Sequence, residues 1–162
     1  MPILQTLTTS FKVGLLTAQF DFSINSSGLD LDFIAQRYLE STGIATYKMA
    51  LYTASANLGA DTTAYTTANE VSGPGYFAGG QILSIAVAPT STGTTAYFSF
   101  DNAVWSSASF IARGALIYVA DGVTNPSVAV LDFGADRTAT LGVPFVVAMP
   151  PPTATTALIR LP

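Results

Sequence analysis

A chain of 162 residues with a net charge of −4 is long enough to fill one hydrophobic core and does not require two. It contains no cysteine and no histidine, which removes disulfides, thiolate and sulfur–zinc chemistry, Ser-His-Asp and Cys-His catalysis, histidine metal sites and histidine pH switching. Its six Lys and Arg form no run, so it lacks the clustered cations that nucleic-acid phosphates or an anionic membrane surface would need.

Charged residues are 10% of the chain and hydrophobic residues 49%, against a usual charged share of about 25%. The surface must therefore be built largely from Thr, Ser, Ala, Gly and Asn. Such a surface defends poorly against association and suits a subunit packed against others. Apolar runs such as Val143 to Met149 fall well short of the roughly 20 residues that cross a bilayer. No signal peptide is expected, because Lys12 interrupts the one candidate apolar stretch.

In chain order, Ile3, Leu4, Leu7, Phe11, Leu15 and Ala18 are spaced by three and four, which predicts a helix over residues 3–18. Thr8-Thr9-Ser10 weakens that helix on its own, so docking of the apolar stripe must stabilise it, either on its own sheet or on a neighbouring subunit. After a turn-rich connector, Asp30 caps a second predicted helix through Ser41, with Leu31, Ile34, Ala35, Tyr38 and Leu39 on one side and Gly43 as its stop. Residues 1–45 thus read as a helical N-terminal part of a single domain.

From Thr46 onward the pattern is β. Tyr47 to Thr53 alternates, with Met49 and Leu51 on one side and Lys48, Ala50 and Tyr52 on the other. Ser55 to Thr67 is small, polar and turn-like. Glu70 precedes the tight Gly73-Pro74-Gly75-Tyr76 loop, and Gly79-Gly80 marks a further turn. Gln81 to Ala88 and Thr95 to Phe100 are predicted strands around a Pro89 to Thr94 turn, and Trp105 falls in a loop or short strand.

Phe110 to Val119 is apolar on both sides: Phe110, Ala112, Gly114, Leu116 and Tyr118 share one, and Ile111, Arg113, Ala115, Ile117 and Val119 share the other. A strand of that kind is covered on both faces. Its hairpin partner is Val128 to Phe133, joined through Asp121-Gly122 and Asn125-Pro126. With Leu116 facing Leu131, Ala115 lies opposite Asp132 and Arg113 is its diagonal neighbour, which predicts a partly buried structural ion pair, Arg113–Asp132. Gly134 to Gly142 reads as a loop, Val143 to Met149 as a strand, Pro150-Pro151-Pro152 as a stiff bend, and Thr155 to Leu161 as the last strand. The expected architecture is a mainly β, antiparallel sandwich of about seven or eight strands over residues 46–162, with one or two N-terminal helices packed against it.

Several of these segments resemble one family of small β-rich virion proteins of tailed phages. The residues that carry the likeness are Phe11-Lys12 and Leu15-Leu16, Tyr47 to Thr53, Thr63 to Thr67, Asn69 to Gly73, Gly75-Tyr76, Ala78 to Gly80, Phe98 to Trp105, Ala112 to Tyr118, Val128 to Gly134 and Leu158 to Arg160. The chain departs from that pattern at Ser23 to Ile44, where it has an added segment. The resemblance implies a non-catalytic virion component: a capsid decoration or cement protein bound to major capsid subunits, or alternatively a tail, collar or baseplate component. A homo-oligomer is expected, a trimer fitting capsid local threefolds best.

Catalysis has one weak foothold, since Glu70, Asp101 and Asp132 offer the carboxylates a glycosidase needs. Turn capping and the Arg113 pair explain them more simply. Trp105 and Tyr76 read as core plugs ahead of a sugar platform, and the acidic residues lack the dense spacing of a calcium loop. No cofactor or metal is expected. The expected interface combines Leu4, Leu7 and Phe11 of the first helix, Ile34 and Tyr38 of the second, and the exposed loop at Tyr76-Phe77.

Overall fold

A computed structural model describes residues 3–9, 11 and 46–162. Among them ten strands form three antiparallel sheets. The first has the order β1-β8-β7-β2-β3, from Thr6–Leu7 (β1), Tyr47–Tyr52 (β2), Gln81–Ile82 (β3), Phe110–Val119 (β7) and Ser127–Ala139 (β8). The second is β10-β5-β4, from Ile85–Thr92 (β4), Thr95–Phe100 (β5) and Ile159–Leu161 (β10). Ala103–Trp105 (β6) and Phe145–Val147 (β9) pair as a two-stranded ribbon.

The two apolar sides of β7 place it inside the largest sheet, between β8 and β2. Tyr47, Met49, Leu51, Ala115 and Ile117 on one face join Phe98 and Phe100 of β5, Trp105 of β6, Val147 of β9 and Ile159 of β10 in the larger core. Aromatic rings lock this layer: Tyr47 meets Phe100 with centroids 5.3 Å apart, and Phe110 meets Phe145 at 5.0 Å. On the opposite face Ala50, Tyr52, Leu116, Tyr118 and Val130 form a second cluster with Ile3, Ala56 and Leu58. Here the cover comes from the chain's own irregular segments. The alternation expected for β2 is therefore present, each side of the strand filling a different cluster.

The N-terminal stretch differs from its predicted helix. Thr6 and Leu7 pair with Val130 and Ala129, and Leu4 donates its N–H to the Leu58 carbonyl at 2.9 Å. Leu4 is exposed and Leu7 half-buried, so these two do not form one buried stripe with Phe11, which is fully buried. Threonines supply the reason: β-branched Thr6 and Thr8 favour extended backbone, and Thr8 ends the stretch as a cap, its hydroxyl accepting the Phe11 N–H at 3.3 Å. Among the described residues only Thr9 and Phe11 have helical backbone. Leu15, Ala18 and the whole second predicted helix, with Ile34 and Tyr38, lie outside the described residues.

Three further boundaries move. Pro89 to Thr92, expected in a turn, belong to β4, and the reversal is confined to Gly93-Thr94. Strand β8 runs on to Ala139 where a loop from Gly134 was expected. The hairpin register is one residue from the expected one: Leu116 faces Val130, Ala115 faces Leu131 and Gly114 faces Asp132. The β7–β8 connection itself is organised by Asp121, whose carboxylate accepts the N–H groups of Val123, Thr124 and Asn125 and the Thr124 hydroxyl. Burial pushes its pKa up, and these hydrogen bonds more than reverse that, holding the carboxyl below its usual value.

Gly80 shows how tightly the β2–β3 connection sits on β2. Its φ is +68°, and a Cβ there would lie 1.7 Å from the Met49 carbonyl oxygen. Gly80→Ala combines left-handed strain with a backbone clash, so a loss of about 2–4 kcal/mol is expected, read as a lower urea midpoint at unchanged m-value.

Candidate functional site

Two polar constellations stand out against so few charges. The first surrounds Glu70. The segment Asn69 to Val71 lies along the end of β2: Thr53 donates to the Asn69 carbonyl at 3.0 Å, and Val71 donates to the Leu51 carbonyl at 2.9 Å. Asn69 takes a φ of 61°, a conformation Asn tolerates better than most residues. This turns the Glu70 carboxylate toward four tyrosines. Oε2 accepts the Tyr65 hydroxyl at 2.6 Å, while Oε1 accepts the Tyr76 hydroxyl at 2.7 Å and the Gly79 N–H at 2.7 Å.

The surrounding phenols are engaged as well. Tyr76 Oη accepts the Leu51 N–H at 2.9 Å, Tyr118 donates to the Gly79 carbonyl at 2.9 Å, and Tyr52 donates to the Thr66 carbonyl at 2.6 Å. Tyr65 stacks on Tyr118 with centroids 4.6 Å apart. Burial first and the Glu70 charge second push the Tyr118 hydroxyl up to about 12. Burial is likewise the largest cause raising Tyr52, Tyr65 and Tyr76, with Glu70 adding to each. With both oxygens occupied by donors, Glu70 ties together three points of the single β2–β3 connection, Tyr65, Tyr76 and Gly79. It is not a free base.

The second constellation is a bulge between β7 and β8. Ala112 pairs with Arg137 and Gly114 with Asp132, so the single residue Arg113 spans a stretch that Phe133 to Asp136 fill on β8. Arg113 bridges both ends of that stretch, its Nε lying 3.4 Å from Asp132 and its Nη1 3.9 Å from Asp136. Asp132 also accepts the Gly134 N–H at 2.9 Å, and Gly134 has a φ of 73°. The ion pair between Arg113 and Asp132 thus joins a three-residue cluster. The bulge also resets alternation along β7: Phe110 and Ala112 lie in the same core cluster as Ala115, Ile117 and Val119.

Beside the bulge runs an open groove of about 610 Å³, lined by Phe133, Asp136, Arg137 and Thr138 from β8 and by Phe145 to Ala148 at β9. The expected interface residues scatter. Tyr76 is buried beneath the Glu70 cluster, because its hydroxyl meets both Glu70 and β2 and its ring packs between Trp105 and Phe110. Phe77, next in sequence, is 82% exposed. Leu4 is exposed, Leu7 lies at the β1 edge, and Phe11 is in the core. Among the described residues no group of three or more acidic side chains could hold a metal ion. Asp101 is exposed.

Sequence reading missed the groove and the role of Arg137. The signal available was the polar Asp136-Arg137-Thr138 run inside a stretch whose β character continues past Gly134. Comparison with models of protein families, with curated proteins and with solved structures finds no match to this chain.

The phenols of the Glu70 cluster are held neutral, with folded pKa values above the ordinary 10.0. The Tyr118 contribution is therefore complete below pH 10 and is lost as pH rises through about 12, while those of Tyr52, Tyr65 and Tyr76, raised further, persist to higher pH. Glu70→Gln sets an amide N–H against one of three donors and costs about 2 kcal/mol near neutral pH, while lowering the onset of tyrosinate absorbance in an alkaline titration. For the bulge, a double-mutant cycle of Arg113→Leu and Asp132→Leu is expected to give a coupling of about 0.5–1 kcal/mol that shrinks in salt, since both side chains are partly solvated.

Proposed function

We propose that this protein is a structural component of a phage particle, a capsid decoration or cement protein that acts through contact area and without catalysis. In this reading the three sheets make an antiparallel β-sandwich, and copies bind major capsid subunits and one another as a symmetric oligomer, most simply a trimer at local threefold positions. The observation that supports it best is the outward display of large apolar side chains on a charge-poor body. Val123 is 85% exposed, Phe77 82% and Ile82 69%, and Leu4, Leu141, Val143 and Ile111 are each more than half exposed.

Single exposed apolar residues are ordinary, but here few charges interrupt them. Repeated interfaces of about 1,000 Å² or more would add stabilising free energy at every copy of a shell. Two of the three carboxylates considered for a hydrolase are engaged in structural contacts: Glu70 with its three donors, Asp132 with Arg113 and Gly134.

Quantitative gel staining of purified particles tests the proposal. On the order of hundreds of copies per particle is the expected result for decoration of a symmetric shell, and about a dozen or fewer would move the protein to the tail or collar. Particles that lack the chain altogether would overturn the virion role.

A further inference from the structure

The groove beside the bulge has a feature that a packed face does not produce. Successive side chains of a strand point to opposite faces, yet Asp136, Arg137 and Thr138 are consecutive, and so are Phe145 to Ala148, and all of them line it. The groove therefore runs along strand edges. Both edges are open: among the described residues β9 pairs only with β6, and β8 from Phe133 onward pairs only with β7, since β1 stops at Ala129 and Val130. Edge backbone N–H and C=O groups of this kind are templates for another extended chain.

We propose that this groove binds an extended peptide segment of a partner protein as an added β-strand between β8 and β9, the segment carrying alternate apolar side chains and one carboxylate. Main-chain hydrogen bonds from the two edges supply the recognition common to all such segments. The floor sets the alternation. Phe133 and Phe145 are half-buried with ring centroids 6.5 Å apart, and Val147 beside them is buried, so every second side chain of the guest meets apolar surface.

The charge on the wall sets the carboxylate. Asp136 faces Arg113, whereas Arg137 is exposed, has no acidic partner among the described residues and donates only a 3.4 Å hydrogen bond to the Phe133 carbonyl. It is a cation with capacity for a planar acceptor. This inference does not depend on the virion role, because it rests on edge geometry and charge alone.

The test uses the full chain, isotope-labelled, and a capped seven-residue peptide of alternating valine and threonine with one central glutamate. The expected result is a set of amide shifts and slowed hydrogen exchange confined to Phe133 to Ala139 and Phe145 to Ala148. Arg137→Glu, at an exposed position, should weaken the glutamate peptide at least about tenfold and strengthen the same peptide with lysine in place of glutamate. A peptide with alternate backbone nitrogens methylated should lose binding, since it keeps the side chains and removes the strand's donors. Three results would overturn the proposal: no shifts at these amides, binding indifferent to both Arg137 and backbone methylation, or prior protection of the same amides that grows with protein concentration, which would make a second copy of this chain the occupant.

Discussion

Strand β7 must be covered on both faces, and most of the architecture follows from that. Ala112, Ala115 and Leu116 to Tyr118 are all buried, so no register of β7 leaves a solvent face except near Ile111 and Arg113. One cover comes from the two smaller sheets, through Phe98, Phe100, Trp105 and Ile159. The other comes from irregular chain, Ile3 on one side and Ala56 to Leu58 on the other. A loop used as a core lid must find partners for its backbone polar groups. That need explains the bonds from Leu4 to Leu58, from Thr9 to Ala60 and from Tyr65 to Asn125, which pin the lid to its surroundings.

The Glu70 cluster is the polar counterpart of this arrangement. A half-buried carboxylate among phenols is costly unless its oxygens are hydrogen-bonded, and here two hydroxyls and a backbone N–H engage both of them. The return is positional: three points of the β2–β3 connection, Tyr65, Tyr76 and Gly79, converge on one group, and its end is drawn down until Gly80 meets the β2 backbone. Charge therefore serves as an internal anchor. The same holds at the bulge, where Arg113 lies close to two aspartates and keeps Phe133 to Asp136 looped out in a defined place.

How much of this could be read in the sequence depends on whether the determining residues are neighbours along the chain. The alternation of Tyr47 to Tyr52, the two-sided apolar character of Phe110 to Val119 and the proximity of Arg113 to Asp132 follow from local spacing. The exact register did not, because a bulge adds residues to one strand and resets which side chains share a face. Simple alternation puts Phe110 and Ile117 on opposite sides, yet they lie in one cluster. Tyr76 reads both as a core plug and as part of an exposed Tyr76-Phe77 interface, and burial decides for the plug; its hydroxyl partners, Glu70 and the Leu51 N–H, are a tertiary arrangement. The apolar spacing of Ile3 to Phe11 fits a helix and also fits a short strand followed by a capped turn, and pairing with Val130 and Ala129 decides for the strand at Thr6 and Leu7.

A charge-poor β protein has to keep its sheet edges from joining indiscriminately, and most edges of this one are blunted by means other than charge. Strands β1 and β3, at the ends of the large sheet, are two residues each. Strand β4 carries Pro89 and two irregularities in its pairing, so its outer edge cannot present an unbroken ladder. Strand β10 is three residues long and holds Arg160. The distal half of β8 is the exception: it is long, its open edge faces that of β9 across a groove, and of its two charges one already faces Arg113. A long edge left open where β1, β3, β4 and β10 are shortened, kinked or charged is, among the described residues, the place where strand pairing with another chain meets the least resistance.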